Sequence, residues 1–184
     1  MGDTPEARGG NLNFTKISGL QKLVPAFITH IVLDPPIAVG SVSKGAPLTI
    51  APFASTNSYL RSEANYPIKI DAVFAHGSDF IRQDPSGKHL RLDVNSVLKD
   101  KSGAVISYKY SGVMTLTPAI GAVLQGAADA KSTDFGDIVM HVLFETGSDE
   151  LRPLEQKIYV ASGRFVVEAG KPAVVEYKIS EVTA

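Results

Sequence analysis

The most informative candidate for chemistry in this sequence is a carboxylate, Asp79, which lies in the segment 72–80 (AVFAHGSDF). The apolar run before it predicts a strand that ends at Gly77-Ser78-Asp79 and continues into a long polar loop. A carboxyl group held at a barrel rim beside Phe80 and His76 would have a raised pKa and could donate or accept a proton. The alternative is that the Asp79 side chain only caps a turn, and composition alone favours that alternative.

Four further ionisable residues lie on predicted strands that carry apolar residues on both faces: Arg91, Asp93, His141 and Glu145. A strand face that mixes aliphatic and ionisable side chains is typical of a barrel interior that holds a ligand, so we expect these residues to face inward. On the alternative interpretation they are solvated, and Arg91 and Asp93 form a surface pair of little energetic value. Tyr108 and Tyr110 share one face of a strand, where they either contact an aromatic ligand or pack in an ordinary core.

Motifs for metals and nucleotide cofactors are missing from the sequence. The four histidines have no H-x-H or H-E-x-x-H spacing, and cysteine is absent. No G-x-G-x-x-G, P-loop or G-x-S-x-G occurs either. The sequence therefore predicts no metal site, and a function that requires no cofactor.

These residues must be positioned by strands, because short β-branched or aromatic runs alternate with Gly, Pro, Asp and Asn turns along the chain. Turns at 84–87 (DPSG) and 100–103 (DKSG) make the strand between them the middle of a meander. Two short helices are also expected, over Ile17–Leu23 and Ala119–Lys131. Eight strands can close a barrel around side chains or one small ligand. The predicted strands are Phe27–Leu33, Leu48–Pro52, Ile68–Ala75, His89–Leu98, Ala104–Thr117, Ile138–Glu145, Lys157–Val167 and Ala173–Val182.

Length and charge narrow the classes of function. The chain has 184 residues, the size of one domain, and its formal net charge of -1 offers no field for nucleic acid. No run approaches the roughly 20 apolar residues that span a bilayer. We therefore expect an all-β, single closed antiparallel barrel over residues 23–184 after a polar extension, residues 1–22. The predicted location is cytoplasmic. The sequence does not decide between a monomer and a homo-oligomer.

Several blocks of the sequence resemble a lipocalin-like barrel family of unknown function. Its signature is an aliphatic residue followed by Pro-Gly-Gly-Ala-Asp-Trp. The segment 74–80 keeps the Gly and the Asp, with Phe80 in place of Trp and Ala75-His76 in place of Pro-Gly. Later blocks at 90–93, 101–106, 144–147 and 154–163 follow in the family's order, with Glu155 where Asn is common. The resemblance covers about residues 23–182.

The resemblance implies a barrel with a deep pocket and a similarity to fungal cyclases of aromatic polyketide pathways. Such cyclases close an ether ring by adding a phenol across the alkene of a prenyl group. On this hypothesis Asp79 or Glu145, kept protonated by burial, supplies the proton, and His141 is a further acid or base. Arg91, oriented by Asp93, would bind the phenol oxygen, while Tyr108 and Tyr110 stack on the substrate; His76 and Phe80 would contact it.

Two other classes of function remain open. A non-catalytic carrier of an apolar small molecule needs an apolar lining and tolerates the loss of any one ionisable side chain. If the protein is instead a structural module, we expect its interior to be filled by Phe and Leu side chains. The ionisable residues expected inside favour the enzyme.

Overall fold

The computed structural model describes residues 19–43 and 45–184, and strands dominate it. Its one α-helix, α1, spans Pro118–Leu124, and a 3-10 helix spans Arg152–Gln156. Residues 1–18, which hold most of the predicted polar extension and the start of the predicted helix Ile17–Leu23, lie outside the described residues. The strands are β1 (Lys22–Val32), β2 (Ile37–Val42), β3 (Gly45–Pro52), β4 (Tyr59–Ser62), β5 (Asp71–Gln83), β6 (His89–Asp100), β7 (Val105–Thr115), β8 (Ile138–Thr146), β9 (Ile158–Val166) and β10 (Val174–Thr183).

The sheet closes on itself as an eight-stranded antiparallel barrel. Its ring runs β1-β4-β5-β6-β7-β8-β9-β10 and returns to β1, and every neighbouring pair is antiparallel. The remaining strands, β2 and β3, form a hairpin, and β3 pairs with the second half of β5 from Ser78 to Arg82. The predicted fold class, a single closed antiparallel barrel, is therefore confirmed.

Strict alternation decides which side chains fill the barrel. On β6 the buried residues are Leu92, Val94, Ser96 and Leu98, and the residues between them are exposed or half-buried. The same period of two places aromatic and aliphatic side chains of β7, β8, β9 and β10 in one core. The interior beneath the cavity described below is thus a packed apolar core.

A bulge in β5 reverses the face that points inward. Ala72 and Phe74 are buried, the register with β6 shifts between Phe74 and His76, and after the shift Gly77 and Asp79 are buried. One extra residue in the strand moves every later side chain to the opposite face. The strand then continues to Gln83, so the expectation that it ends by Asp79 and is followed by a long loop was wrong.

The packing of β5 just after the bulge requires glycine at position 77. A Cβ there would lie 2.5 Å from the Phe53 ring and 2.6 Å from the Cβ of Ser96. Both distances are far below van der Waals contact, so Gly77 allows Phe53 to cover the inside of β5.

Two short strands and the helices differ from the sequence-based expectation. β2 and β4 were not predicted, and Lys22–Leu23, expected in a helix, belong to β1. The Ala-rich helix is shorter than predicted: it begins after Thr117, whose Oγ1 accepts a hydrogen bond from the Ile120 amide at 3.4 Å, and ends at Leu124. Within the described residues, no helix is long and apolar enough to cross a membrane.

Candidate active site

One end of the barrel holds a cavity of about 790 Å³, a volume within the range of small-molecule sites. It lies where β1, β5, β7 and β9 end, and the last turn of α1 borders it. Asp34 and four prolines, Pro35, Pro36, Pro47 and Pro172, are exposed residues of its lining. The walls are mainly apolar, with Ile31, Phe53, Leu90, Met114, Phe165 and Val175 among them.

Asp79 is the buried carboxyl group of this cavity, with only 6% of its surface exposed. Its Oδ1 accepts a hydrogen bond from the backbone N–H of Asp93 at 3.0 Å, at a point where the β5–β6 register omits two residue pairs. Burial raises the pKa of Asp79 to about 7, although the bond from Asp93 acts in the opposite direction. Near neutral pH the group can therefore both donate and accept a proton.

Two buried tyrosines, Tyr110 on β7 and Tyr177 on β10, also line the cavity. Their hydroxyls are hydrogen-bonded at 3.1 Å, and their ring centroids lie 5.3 Å apart at an angle of 63°. Burial, with a smaller contribution from the charge of Asp79, raises the pKa of both phenols well above the ordinary value. Both hydroxyls stay protonated, and since one donates to the other, the second O–H can donate to a ligand.

The structure places six of the nine predicted site residues on the outer surface of the barrel. Arg91 pairs with Asp84 at 2.8 Å rather than with Asp93, and Asp93 itself is exposed. The inward positions of β6 belong to Leu92 and Val94. The expectation that Arg91 binds a substrate oxygen inside the barrel, oriented by Asp93, was therefore wrong; Asp93 reaches the site only through its backbone N–H.

Glu145 and His141 also face outward, because Val142 and Phe144 take the inward positions of β8. Glu145 is bound by Lys109 at 2.7 Å, and this pair lowers its pKa. His141 lies 3.3 Å from the hydroxyl of Ser111. The hypothesis that burial keeps Glu145 protonated is thus contradicted, and neither residue reaches the cavity.

His76 and Phe80 flank the inward-facing residues of β5 and are exposed. Tyr108 faces inward as expected, but it is buried in the core against Phe74 and Phe144 and does not line the cavity. Of the predicted residues, Asp79 and Tyr110 therefore meet at the cavity.

Tyr177 is not among the site residues that the sequence predicts. Its signal was present in the alternation of Val175, Tyr177 and Ile179, which marks Tyr177 as an inward residue of the last strand.

Within the described residues, no three His, Asp or Glu side chains come together in the manner of a metal site. The expectation that no cofactor is needed stays a prediction. The buried part of the site holds one carboxyl group and two phenols in mainly apolar surroundings, which suits proton transfer and the binding of a mainly apolar molecule.

The fold and the site define a class of protein, a closed β-barrel with a ligand-sized cavity at one end. The chain belongs to the family described as protein of unknown function (DUF3237), whose model matches residues 21–182. This confirms the coarser part of the resemblance, a barrel family of unknown function. No curated protein matches the sequence.

Solved structures from three bacteria share the fold. A β-barrel-like protein of Acinetobacter baumannii AYE is 19% identical, with a TM-score of 0.67 over 91% of this chain and 99% of its own. A conserved protein of unknown function from Rhodopseudomonas palustris is 18% identical, with a TM-score of 0.69 over 89% of this chain and 99% of its own. A protein with unknown function from Clostridium acetobutylicum is 19% identical, with a TM-score of 0.68 over 89% of this chain and 100% of its own. At these identities the likeness concerns the fold alone.

Proposed function

We propose that this protein is a cofactor-independent cyclase of secondary metabolism that closes a cyclic ether by intramolecular hydroalkoxylation of a prenylated aromatic substrate. The observation that carries the proposal is Asp79, a buried carboxyl with a pKa of about 7 in the wall of an apolar cavity. The cytoplasmic location of the protein stays a prediction from the sequence.

The reaction needs one proton to move in a closed cycle. The Asp79 carboxyl gives its proton to one alkene carbon, whose π electrons form the new C–H bond and leave a cation at the other carbon. A phenol oxygen of the same substrate attacks this cation to form the C–O bond. The phenol proton then passes to the Asp79 carboxylate, so that the acid is restored and the product is an isomer of the substrate.

The surroundings of Asp79 support this use of the group. Apolar walls exclude water, which would otherwise compete with the phenol for the cation. Because Tyr110 and Tyr177 share one hydrogen bond, one of their two O–H groups remains free to donate a hydrogen bond to the substrate oxygen. Their rings stabilise positive charge that develops nearby.

Carriage of an apolar small molecule is the second candidate, favoured by the size and apolar walls of the cavity. A carrier and a cyclase differ in their need for Asp79. Binding to an apolar wall survives the loss of one carboxyl, whereas proton transfer does not.

Turnover of a prenylated polycyclic phenol by the purified protein tests the proposal. We expect a single enantiomer of the cyclic ether, and Asp79→Asn should lower kcat by about 10²–10⁴-fold, the usual share of a general acid. Glu145→Gln, which changes an exposed carboxyl, is the matched control and should leave kcat unchanged. Equal rates for Asp79→Asn and the parent, or binding without turnover, would refute the cyclase and favour the carrier.

A further inference from the structure

The charged and aromatic groups that line the cavity favour a ligand that carries a positive charge. Asp79 lines the cavity with a carboxyl group, and no Lys, Arg or His appears among the described residues that line it. The hydrogen bond to Asp79 comes from the neutral backbone N–H of Asp93. A buried carboxylate without a cationic partner is unstable, so a cation that enters with the ligand removes this cost.

The aromatic lining acts in the same direction. Phe53, Tyr110, Phe165 and Tyr177 all contribute to the cavity wall. Aromatic rings attract cations through their quadrupoles, and the attraction grows where water is excluded. An ammonium group near Asp79 would therefore meet a carboxylate and aromatic side chains at once.

We propose that this cavity binds apolar amines, with the ammonium group paired to Asp79 and the hydrocarbon part against the apolar walls. Alcohols of the same shape bind more weakly, and carboxylates are excluded because their charge would lie beside Asp79. An amine of this class also inhibits the proposed cyclase, since it occupies the acid and resembles a cationic intermediate. Amine binding itself requires no chemical step.

Isothermal titration with three probes of one shape tests the inference: 2-naphthylmethylamine, 2-naphthylmethanol and 2-naphthoate. At pH 8 we expect the amine to bind about tenfold to a hundredfold more tightly than the alcohol, the effect of one charge-assisted hydrogen bond, and the carboxylate not to bind. Equal affinities for amine and alcohol, or tight binding of 2-naphthoate, would overturn the proposal.

Two variants locate the ammonium group. Asp79→Asn should reduce the amine to the affinity of the alcohol and leave the alcohol unchanged, which also shows that the variant is folded. Asp34→Asn is the matched control, because Asp34 lines the same cavity but is exposed. Loss of amine binding in Asp34→Asn but not in Asp79→Asn would place the ammonium at the mouth and refute the assignment.

The pH dependence gives an independent test. The titratable side chains that line the cavity with Asp79 are Tyr110, Tyr177 and Asp34, and the first two stay neutral. On the outer face of the barrel nearby lie His76 and Asp93, together with the Arg91–Asp84 pair. Below pH 7 the amine must displace the proton of Asp79, so its affinity should fall by up to tenfold per pH unit between pH 7 and pH 5. A flat profile would contradict the proposal.

This result is separable from that of the cyclase. Amine binding that depends on Asp79 without ring closure would leave this inference intact and refute the proposed function. Ring closure that an amine does not inhibit would refute the inference alone.

Discussion

The ring of Tyr177 packs directly on the backbone of Gly163. A Cβ at Gly163 would lie 2.6 Å from the Cδ1 of Tyr177 and 3.3 Å from the Cβ of Ile138. Gly163 on β9 therefore makes room for the phenol whose hydroxyl meets Tyr110. The position of the Tyr177 side chain thus depends on a missing side chain on the neighbouring strand.

Gly163→Ala should displace the Tyr177 ring. We expect a loss of about 1–3 kcal/mol in the free energy of unfolding, as for other overpacked cores, and a fall in ligand affinity. Gly147→Ala is the control, because a Cβ there meets no atom within 4 Å. Chemical denaturation and ligand titration measure the two effects; an unchanged Gly163→Ala variant would contradict this account of the cavity wall.

Tyr177→Phe should remove the hydrogen bond to Tyr110 without changing the shape of the wall. The buried Tyr110 hydroxyl would lose its partner, at a cost of about 1–3 kcal/mol in stability, and the rate of ring closure should fall. Tyr66→Phe is informative beside it, because Tyr66 bonds Tyr159 at 3.0 Å and Glu181 at 2.6 Å and does not line the cavity. We expect Tyr66→Phe to lower stability and spare the rate; equal effects of both variants on the rate would show that Tyr177 acts only through stability.

The rate of the proposed reaction should follow the protonated fraction of Asp79. With the pKa raised to about 7 by burial, kcat/KM should be level at acid pH and fall above pH 7. The fall should be tenfold per pH unit, with an apparent pKa near 7. Steady-state rates from pH 5 to pH 9 measure this profile, and a rate that rises with pH would assign Asp79 the role of a base.

Stability should respond to the same group in the opposite way from most carboxyls. Asp79 binds its proton more tightly in the folded state than in the unfolded state, where its pKa is 3.8. Between pH 4 and pH 7 the folded state therefore holds up to one more proton than the unfolded state. As the pH rises through this range, the free energy of unfolding should fall by up to about 1.4 kcal/mol per pH unit. The difference between the parent and Asp79→Asn in denaturant titrations isolates this contribution; parallel profiles would show that Asp79 is ionised in the folded protein.

The strand pattern of the sequence was sufficient to predict the fold class. It did not show, for every strand, which of the two faces points into the barrel. Val139 and Leu143 flank His141 on β8, and in the sequence this mixture of aliphatic and ionisable residues predicts a ligand-holding interior. They are 54% and 56% exposed, because the outside of a barrel tolerates single aliphatic side chains. Alternation separates two faces, and only the closed sheet shows which of them is covered.

The sequence by itself determined seven of the eight strands of the ring, the tight turns at 84–87 and 100–103, and the presence of a carboxyl in an apolar segment. The eighth predicted strand, Leu48–Pro52, belongs to β3 outside the ring, and β4 takes its place in the barrel. Only the tertiary structure decided where that carboxyl lies. The bulge at Ala75 turns Asp79 inward, and strands distant in the sequence bring Tyr110 and Tyr177 to the same cavity. Local residue preferences encode strands and turns, whereas burial and the pKa of Asp79 depend on long-range packing around the ring.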